Sequence, residues 1–349
     1  MTRPRHLRLG ALFLVAAIGV SMAACSAGAA PATTDDASTA EFVDVPYDGP
    51  EAGFPDSFPT PEKVPGQSFT VGYLSPFDAY PVTHYQQEVA QKVTEELGGT
   101  MIAKDANLDA QLQVTQFDEL LTQGVDAIVG YPLNPESWSN SIKKANDAGV
   151  PVIAFATPWD FTQQPIAGVS ASIGNAYDDE AYAIVRAVAE KKPGATFAVL
   201  NVGLPIPSLQ YVGDRQEYWG EKFGLTFLGR VDAQTDNPAG AATAANDILT
   251  KYPDVDAILT YNSLAAIAAG NIAKGKIITG MNAGSVSDVE SVESGAVTFS
   301  YFLDSDALST QAIYAAYDIL TKQGGDLPPL INIKGTVVSL DNVAEVTGV

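Results

Sequence analysis

The stretch Leu120-Leu121-Thr122-Gln123-Gly124-Val125-Asp126-Ala127-Ile128-Val129-Gly130-Tyr131 reads as a helix end, a glycine turn, a short apolar strand and a tyrosine just past it. It recurs in the second half of the chain as Ile248-Leu249-Thr250-Lys251-Tyr252-Pro253-Asp254-Val255-Asp256-Ala257-Ile258-Leu259-Thr260-Tyr261, with a two-residue insertion. An unbroken apolar strand bounded by turn residues suits a parallel sheet covered by helices on both faces. Working outward, Phe69 to Leu74 is a strand, and Val82, Tyr85, Val89, Val93 and Leu97 then recur at helical spacing until Gly98-Gly99 stops the helix. A strand at Thr100–Ala103 follows, then a helix with Leu112, Phe117, Leu120 and Leu121 on one side. After the quoted strand come a helix over Ser137–Ala148, carrying Trp138, Ile142 and Ala145, and a strand at Pro151–Phe155. The rhythm restarts near Tyr177, with strands at Ala195–Leu200, Thr226–Leu228, Ala257–Thr260 and Lys276–Thr279. This alternation predicts an α/β fold made of two similar doubly wound parallel-sheet lobes. The other reading of the repeat is two unrelated βα units sharing common residues. Ligands of open α/β sheets sit outside the carboxyl ends of the strands. Two facing lobes would therefore put Tyr131 and Tyr261 on opposite walls of one cleft.

Composition narrows the function. A chain of 349 residues suggests two domains, and 46% hydrophobic residues suffice for a core. Nineteen Lys and Arg stand against 41 Asp and Glu, a formal charge of −22, so phosphate backbones are repelled and nucleic acid is excluded as a partner. One Cys and two His exclude disulfides, zinc clusters and multi-histidine metal sites, and no metal or cofactor is expected.

The first 24 residues read as an export signal. Arg3, Arg5 and Arg8 precede an apolar stretch from Leu9 to Val20 that is too short to span a membrane, which takes about 20 apolar residues. Met22-Ala23-Ala24-Cys25 then resembles the lipobox of bacterial lipoproteins, with Met22 where Leu is usual. That resemblance implies acylation of Cys25 and a lipid anchor holding an extracytoplasmic protein to the cell membrane. An ordinary secretory signal with an incidental Cys is the alternative. Residues 25–68 read as the lipidated Cys followed by a Pro-rich tether. Its later part, with Phe42, Val43, Tyr47, Phe54 and Phe58, could lie on the domain surface as an arm.

The run Gln123-Gly124-Val125-Asp126-Ala127-Ile128-Val129, then Pro132, Ile142-Lys143-Lys144-Ala145 and Ala148-Gly149-Val150-Pro151-Val152-Ile153 is similar to the sugar-binding proteins of ABC importers. It resembles the ribose-binding group of type I periplasmic binding proteins, and Pro253-Asp254-Val255-Asp256-Ala257-Ile258 followed by Asn262 matches the second-lobe motif of that family. The resemblance covers about Phe69 to Val346. It implies two lobes joined by a three-crossing hinge, with crossings near Val169–Ser172, Ser300–Phe302 and Ile331–Lys334. The first lobe would comprise residues 69–170 and 301–331, and the second 171–300 and 332–349. The partners implied are a small solute and the membrane permease of an ABC importer, with the chain acting as a monomer. A receptor of the same fold signalling to a membrane kinase or chemoreceptor is the alternative.

The resemblance also nominates site residues. Phe77, Asp78 and Tyr80 occupy the loop after the first strand, where the family has aromatic residues that stack on a sugar, and Asp78 could accept hydroxyl hydrogen bonds. Trp159 and Asp160 stand where the ribose group has Asp-Arg, so the charged pair is missing. Arg215 falls close to the family's binding Arg, Asn262 matches the Asn after the second-lobe motif, Asn282 replaces a binding Asp, and Tyr301 lies where the third crossing often has Gln. With Tyr131, this is an aromatic and amide-rich wall in which Arg215 is the sole candidate cation. It suits a neutral sugar, sugar alcohol or similar small polar solute and leaves an anion uncompensated.

Enzyme readings are disfavoured. His84 in the first helix could be a general base, but no Gly-x-Ser-x-Gly, His-Glu-x-x-His or Gly-x-Gly-x-x-Gly motif accompanies it. Gly270 to Ile277 imitates a phosphate loop yet ends in Ile and precedes a strand instead of following one. Asp178-Asp179-Glu180 is read as an acidic helix start that is favoured by the helix dipole and stays solvated.

Overall fold

The computed structural model describes residues 40–323 and 327–349. The signal segment, the lipobox and Cys25 lie outside the described residues.

The repeat that opens the sequence is the same structural device used twice. Strand β1 (Thr70–Ser75) pairs with β2 (Thr100–Asp105) and β3 (Ala127–Gly130), all parallel. At the foot of β3, Asp126 Oδ2 accepts the Thr70 backbone N–H at 2.7 Å, and the Asp126 N–H donates to Thr70 O at 2.8 Å. In the second lobe Asp256 does the same to Thr196, its Oδ2 accepting at 2.9 Å and its N–H donating at 3.1 Å. At the other end, the N–H groups of Tyr131 and Tyr261 each reach the neighbouring strand, at Leu74 O and Leu200 O. The Val-Asp-Ala-Ile motif thus fixes strand register through its Asp, while its apolar residues are buried on both faces.

The first sheet has the order β11-β5-β4-β3-β1-β2, where β4 is Val152–Phe155, β5 Ala171–Asn175 and β11 Leu330–Ile333, and its pairings are all parallel. Helices α1 (Pro81–Glu96) and α9 (Ser305–Thr321) pack together on one face, closing a core around Phe69, Tyr73, Val129, Ile153 and Tyr317. Helices α2 (Ala110–Gln123) and α3 (Ser139–Asp147) cover the other, around Leu74, Phe117, Ile128 and Trp138. Full burial of such side chains contributes about 1.5–3 kcal/mol each. Asp109 caps α2 through the N–H groups of Gln111 and Leu112, and Gly124 ends it at φ +76°, a left-handed conformation that glycine adopts without strain. The helix expected over Ser137–Ala148 begins instead as a 3₁₀ turn at Pro135–Trp138.

The second sheet has the order β12-β10-β9-β8-β6-β7. Its strands are β6 (Thr196–Val202), β7 (Thr226–Ala233), β8 (Ala257–Thr260), β9 (Ile277–Ala283), β10 (Phe299–Phe302) and an antiparallel edge strand β12 (Thr336–Val338). Helices α4 (Tyr177–Lys191) and α5 (Pro207–Lys222) cover one face. Helices α6 (Pro238–Lys251) and α7 (Ser263–Ile272) cover the other, and α8 (Val286–Glu293) lies near the C-terminus.

The chain passes between sheets three times: from β5 to α4, from β10 to α9 and from β11 to β12. The first passage follows Asn175 and does not fall at Val169–Ser172, because Ala171–Asn175 is hydrogen-bonded between β4 and β11 in the first sheet. The second follows Phe302, so Tyr301 and Phe302 belong to the second sheet, and the third falls at Lys334–Gly335.

Residues 40–68 form an arm along both lobes. On the second lobe, Phe42 stacks on Phe223 and Tyr47 lies against Tyr182 and Trp219. On the first, Phe54 meets Phe161 edge-on, Pro55 O accepts the N–H of Asn332 on edge strand β11, and Val64 N donates to the Tyr317 hydroxyl. The arm thereby protects a sheet edge that would otherwise invite pairing.

Between these two stretches Glu51 is buried at the start of α4, its carboxyl accepting the N–H groups of Asp178 and Asp179 at 2.9 Å. Burial pushes this carboxyl from its ordinary 4.5 up to about 8, against the two N–H bonds that favour its charged form; Asp178 and Asp179 add repulsion. Tyr47 also faces the group, while Arg215 and Lys334 pair with Asp178 and Asp179. From about pH 4.5 to about pH 8 the folded chain holds a proton here that the unfolded chain has lost. The stabilisation from this group is therefore complete below the unfolded value and is lost as pH rises through the folded one. Urea midpoints measured from about pH 5 to about pH 8.5 should fall more steeply for the native chain than for Glu51→Gln, which stays neutral throughout. Equal slopes would show that Glu51 does not titrate in this range.

Candidate functional site

The carboxyl ends of β1, β3, β4 and β5 face those of β6, β7, β8 and β9 across a cavity. The cavity volume is about 130 Å³.

Five of the residues nominated from sequence line it: Phe77, Tyr80, Tyr131, Asn262 and Asn282. Phe77 and Tyr80 sit in the loop between β1 and α1, where Thr83 Oγ1 donates to the carbonyls of both and holds the turn. The Tyr80 hydroxyl crosses to the second lobe, donating to Asn282 O at 2.9 Å and lying 3.0 Å from Ser263 Oγ. Burial first, and then the negative charge of Asp288 and its neighbours, push this phenol well above its ordinary value, so it remains a donor. Tyr131 makes a second bridge, its hydroxyl 3.3 Å from Ser208 Oγ on α5. The lobes are thus closed on each other by two tyrosines. Because the Tyr80 bonds to Asn282 and Ser263 join opposite lobes, their loss acts on the closed form alone. Tyr80→Phe should weaken solute binding about fivefold, the worth of roughly 1 kcal/mol, with little change in the unfolding midpoint of the free protein. Titration calorimetry checks the affinity; an unchanged value would mean that Tyr80 does not hold the closed form.

Asn262 caps α7, its Oδ1 accepting Ala265 N while its Nδ2 donates to Asp236 Oδ1 at 3.1 Å. Asn282 has φ +52°, and its backbone N–H donates to Glu180 Oε1 at 2.6 Å. Glu180 and Asp178, expected to stay solvated, are instead fully buried because α4 packs its first turn against β9 and α5, and burial raises the Glu180 carboxyl well above the usual range. The side-chain amide of Asn282 meets no protein partner among the described residues.

The other nominated residues lie outside the cavity. Asp78 faces outward, its Oδ1 3.0 Å from His84 Nδ1; their hydrogen bond raises the His84 pKa at the surface. Trp159 packs against the second-lobe core, and Asp160 Oδ1 accepts the N–H and hydroxyl of Thr162 in a local turn, so Phe155 and Ala156 take the cavity position after β4. Arg215 is held by buried Asp178 and stacks 4.0 Å from the Tyr218 ring centre. Tyr301 accepts Gly335 N–H at 2.7 Å at the third passage between lobes. Tyr261 is buried behind the wall and donates to Asp236 Oδ1 at 2.8 Å.

Sequence reasoning missed Asp236, Asn175 and Tyr177, which all line the cavity. Asp236 follows β7 and Asn175 ends β5, so the rule that ligands sit at carboxyl strand ends applied to them too. Tyr177 opens α4 just past the first passage, and its hydroxyl accepts from Asn175 Nδ2 at 3.2 Å. The described lining residues include no Lys, Arg or His, and among the described residues no cluster of His, Cys, Asp or Glu is arranged to hold a metal. No described helix is long and apolar enough to cross a membrane.

Residues 71–324 match the model of the periplasmic binding protein domain family. The chain is 26% identical over 179 residues to the ribose import binding protein RbsB of Bacillus subtilis (strain 168), covering 51% of this chain and 57% of the relative. It is 30% identical over 69 residues to the D-xylose-binding periplasmic protein of Escherichia coli (strain K12), covering 20% of this chain and 21% of that one. The chain therefore spans at most just over half the length of these curated relatives. Among solved structures, an ABC transporter periplasmic solute-binding protein from Actinobacillus succinogenes 130z with bound D-allose superposes with a TM-score of 0.71 at 18% identity, covering 79% of this chain and 99% of that one. An ABC transporter solute-binding protein from Mycobacterium smegmatis with bound glycerol gives 0.69 at 18% identity, covering 81% and 98%. The matched domain, the two facing parallel sheets and the three passages between them establish that this chain belongs to the periplasmic binding protein family, with the type I two-lobed fold.

Proposed function

We propose that the chain is the extracytoplasmic solute-binding lipoprotein of an ABC importer. It takes a neutral sugar, sugar alcohol or similar small polar solute into the interlobe cavity and delivers it unaltered to a membrane permease. The observation that carries this reading is the cavity itself, enclosed between two lobes that Tyr80 and Tyr131 bridge. A solute touching both walls stabilises the closed form by the difference between its affinities for closed and open lobes. The absence of cationic side chains from the described lining disfavours an anionic guest. The solutes named for the structural relatives, D-allose and glycerol, are of this class.

A thermal-shift screen of neutral sugars and polyols tests the reading, since a ligand at 100 times its dissociation constant adds about 2.7 kcal/mol of stability. Stabilisation by at least one of them, with the compound recovered unchanged, is expected. Stabilisation by phosphorylated or carboxylated compounds alone, or chemical turnover, overturns it. Anchoring through Cys25 predicts that Cys25→Ser moves the protein from the membrane fraction to the medium; retention would refute the anchor.

A further inference from the structure

Most residues lining the cavity are apolar, and most of its polar groups are already used. The hydroxyls of Tyr80 and Tyr131 bridge the lobes, both ends of the Asn262 amide are bonded, Gln86 Nε2 donates to Ser305 Oγ, and Thr83 holds its own loop. A few valences stay unused. Asp236 accepts twice on Oδ1, while no donor among the described residues reaches its Oδ2. The Asn282 amide is open, and Asn175, only 5% exposed, has an Oδ1 with no partner. Apart from the Asn282 amide these are acceptors. The rest of the lining is largely apolar, with Phe77, Leu133 and Phe155 from the first lobe and Ile206, Leu209 and Leu264 from the second.

A fully hydroxylated sugar carries a hydroxyl on nearly every ring carbon. Each one turned to these apolar walls would lose its water without a replacement, at about 1–3 kcal/mol. We propose that the solute is a partly deoxygenated ring, a deoxy sugar or cyclic diol. Its hydroxyls would meet Asp236, Asn282 and Asn175, and its C–H or methyl groups the apolar side chains of Phe77, Leu133 and Phe155. This deepens the solute-receptor reading above and rests on it.

The test is titration calorimetry of the full chain with two matched pairs, L-fucose against L-galactose and cis-cyclohexane-1,2-diol against myo-inositol. The less hydroxylated member of each pair is expected to bind at least about tenfold more tightly. Leu133→Asn puts an amide on the apolar wall at a half-buried position and should shrink that ratio severalfold. Equal or tighter binding of L-galactose and myo-inositol, or a ratio unmoved by Leu133→Asn, overturns the inference and leaves the receptor reading intact. Binding of no compound in either pair, with no neutral sugar or polyol stabilising the chain in the thermal screen, overturns both.

Discussion

Arg215→Ala will lower the unfolding free energy by about 3 kcal/mol and leave solute affinity nearly unchanged. The Arg215 guanidinium donates through Nε to Asp178 Oδ1, and the same oxygen accepts Trp219 Nε1 at 2.7 Å. Asp178 Oδ2 takes the Tyr47 hydroxyl of the arm at 3.3 Å. Asp178 is fully buried, whereas the Arg215 side chain keeps 21% of its surface. Burial alone would lower the Arg215 pKa, yet the hydrogen bond and the charge of Asp178 raise it. Removing the cation strands a buried carboxylate with only neutral donors. Breaking a buried pair costs about 3–5 kcal/mol, and the partial exposure of Arg215 places it at the low end. Urea unfolding gives the first quantity and calorimetry the second. Adding Asp178→Asn to the variant should recover part of the loss, because the stranded charge is then gone. A tenfold loss of affinity with stability intact would instead make Arg215 a solute contact, the role its place in the sequence suggested.

Gln113→Ala should cost about 3 kcal/mol of stability and also weaken solute binding. Gln113 is fully buried in α2, facing the loop after β3. Its Nε2 donates to Tyr131 O at 2.7 Å, and its Oε1 accepts Leu133 N at 3.0 Å and Trp138 Nε1 at 3.1 Å. One side chain therefore sets the backbone that presents Tyr131 and Leu133 to the cavity. Alanine would leave that carbonyl and both N–H groups without partners, at about 1–3 kcal/mol for each one that water cannot reach. The wall would loosen at the residues that bridge and line the site. Unfolding and calorimetry on the same variant separate the two effects. A loss under about 1 kcal/mol with unchanged affinity would show that water replaces the amide at no cost to the loop.

Much of the cavity's frame was legible in the sequence. Phe77, Tyr80, Tyr131 and Asn262 follow strands, Asn282 lies at the end of one, and backbone topology alone brings such positions to the cleft. Arg215, Tyr301 and Asp160 were not legible, because a polar side chain goes to whichever partner folding brings nearest: Asp178, Gly335 and Thr162 respectively. Asp78 is taken by His84 in the same way. Gln113 was invisible for the converse reason: mid-helix glutamines are usually solvated, and only packing shows this one buried against a loop.

The sequence by itself determined the alternation of strands and helices, the duplicated Val-Asp-Ala-Ile strand and hence two parallel-sheet lobes. Burial of a strand on both faces is written in consecutive residue types, and helix faces in their spacing. Only the tertiary structure decided that Ala171–Asn175 lies inside the first sheet, that residues 40–68 lie along both lobes and that Asp236 faces the cavity while Arg215 does not. Each of those depends on hydrogen bonds or charge pairs between residues far apart in the chain, and such partners leave no periodic trace in local sequence.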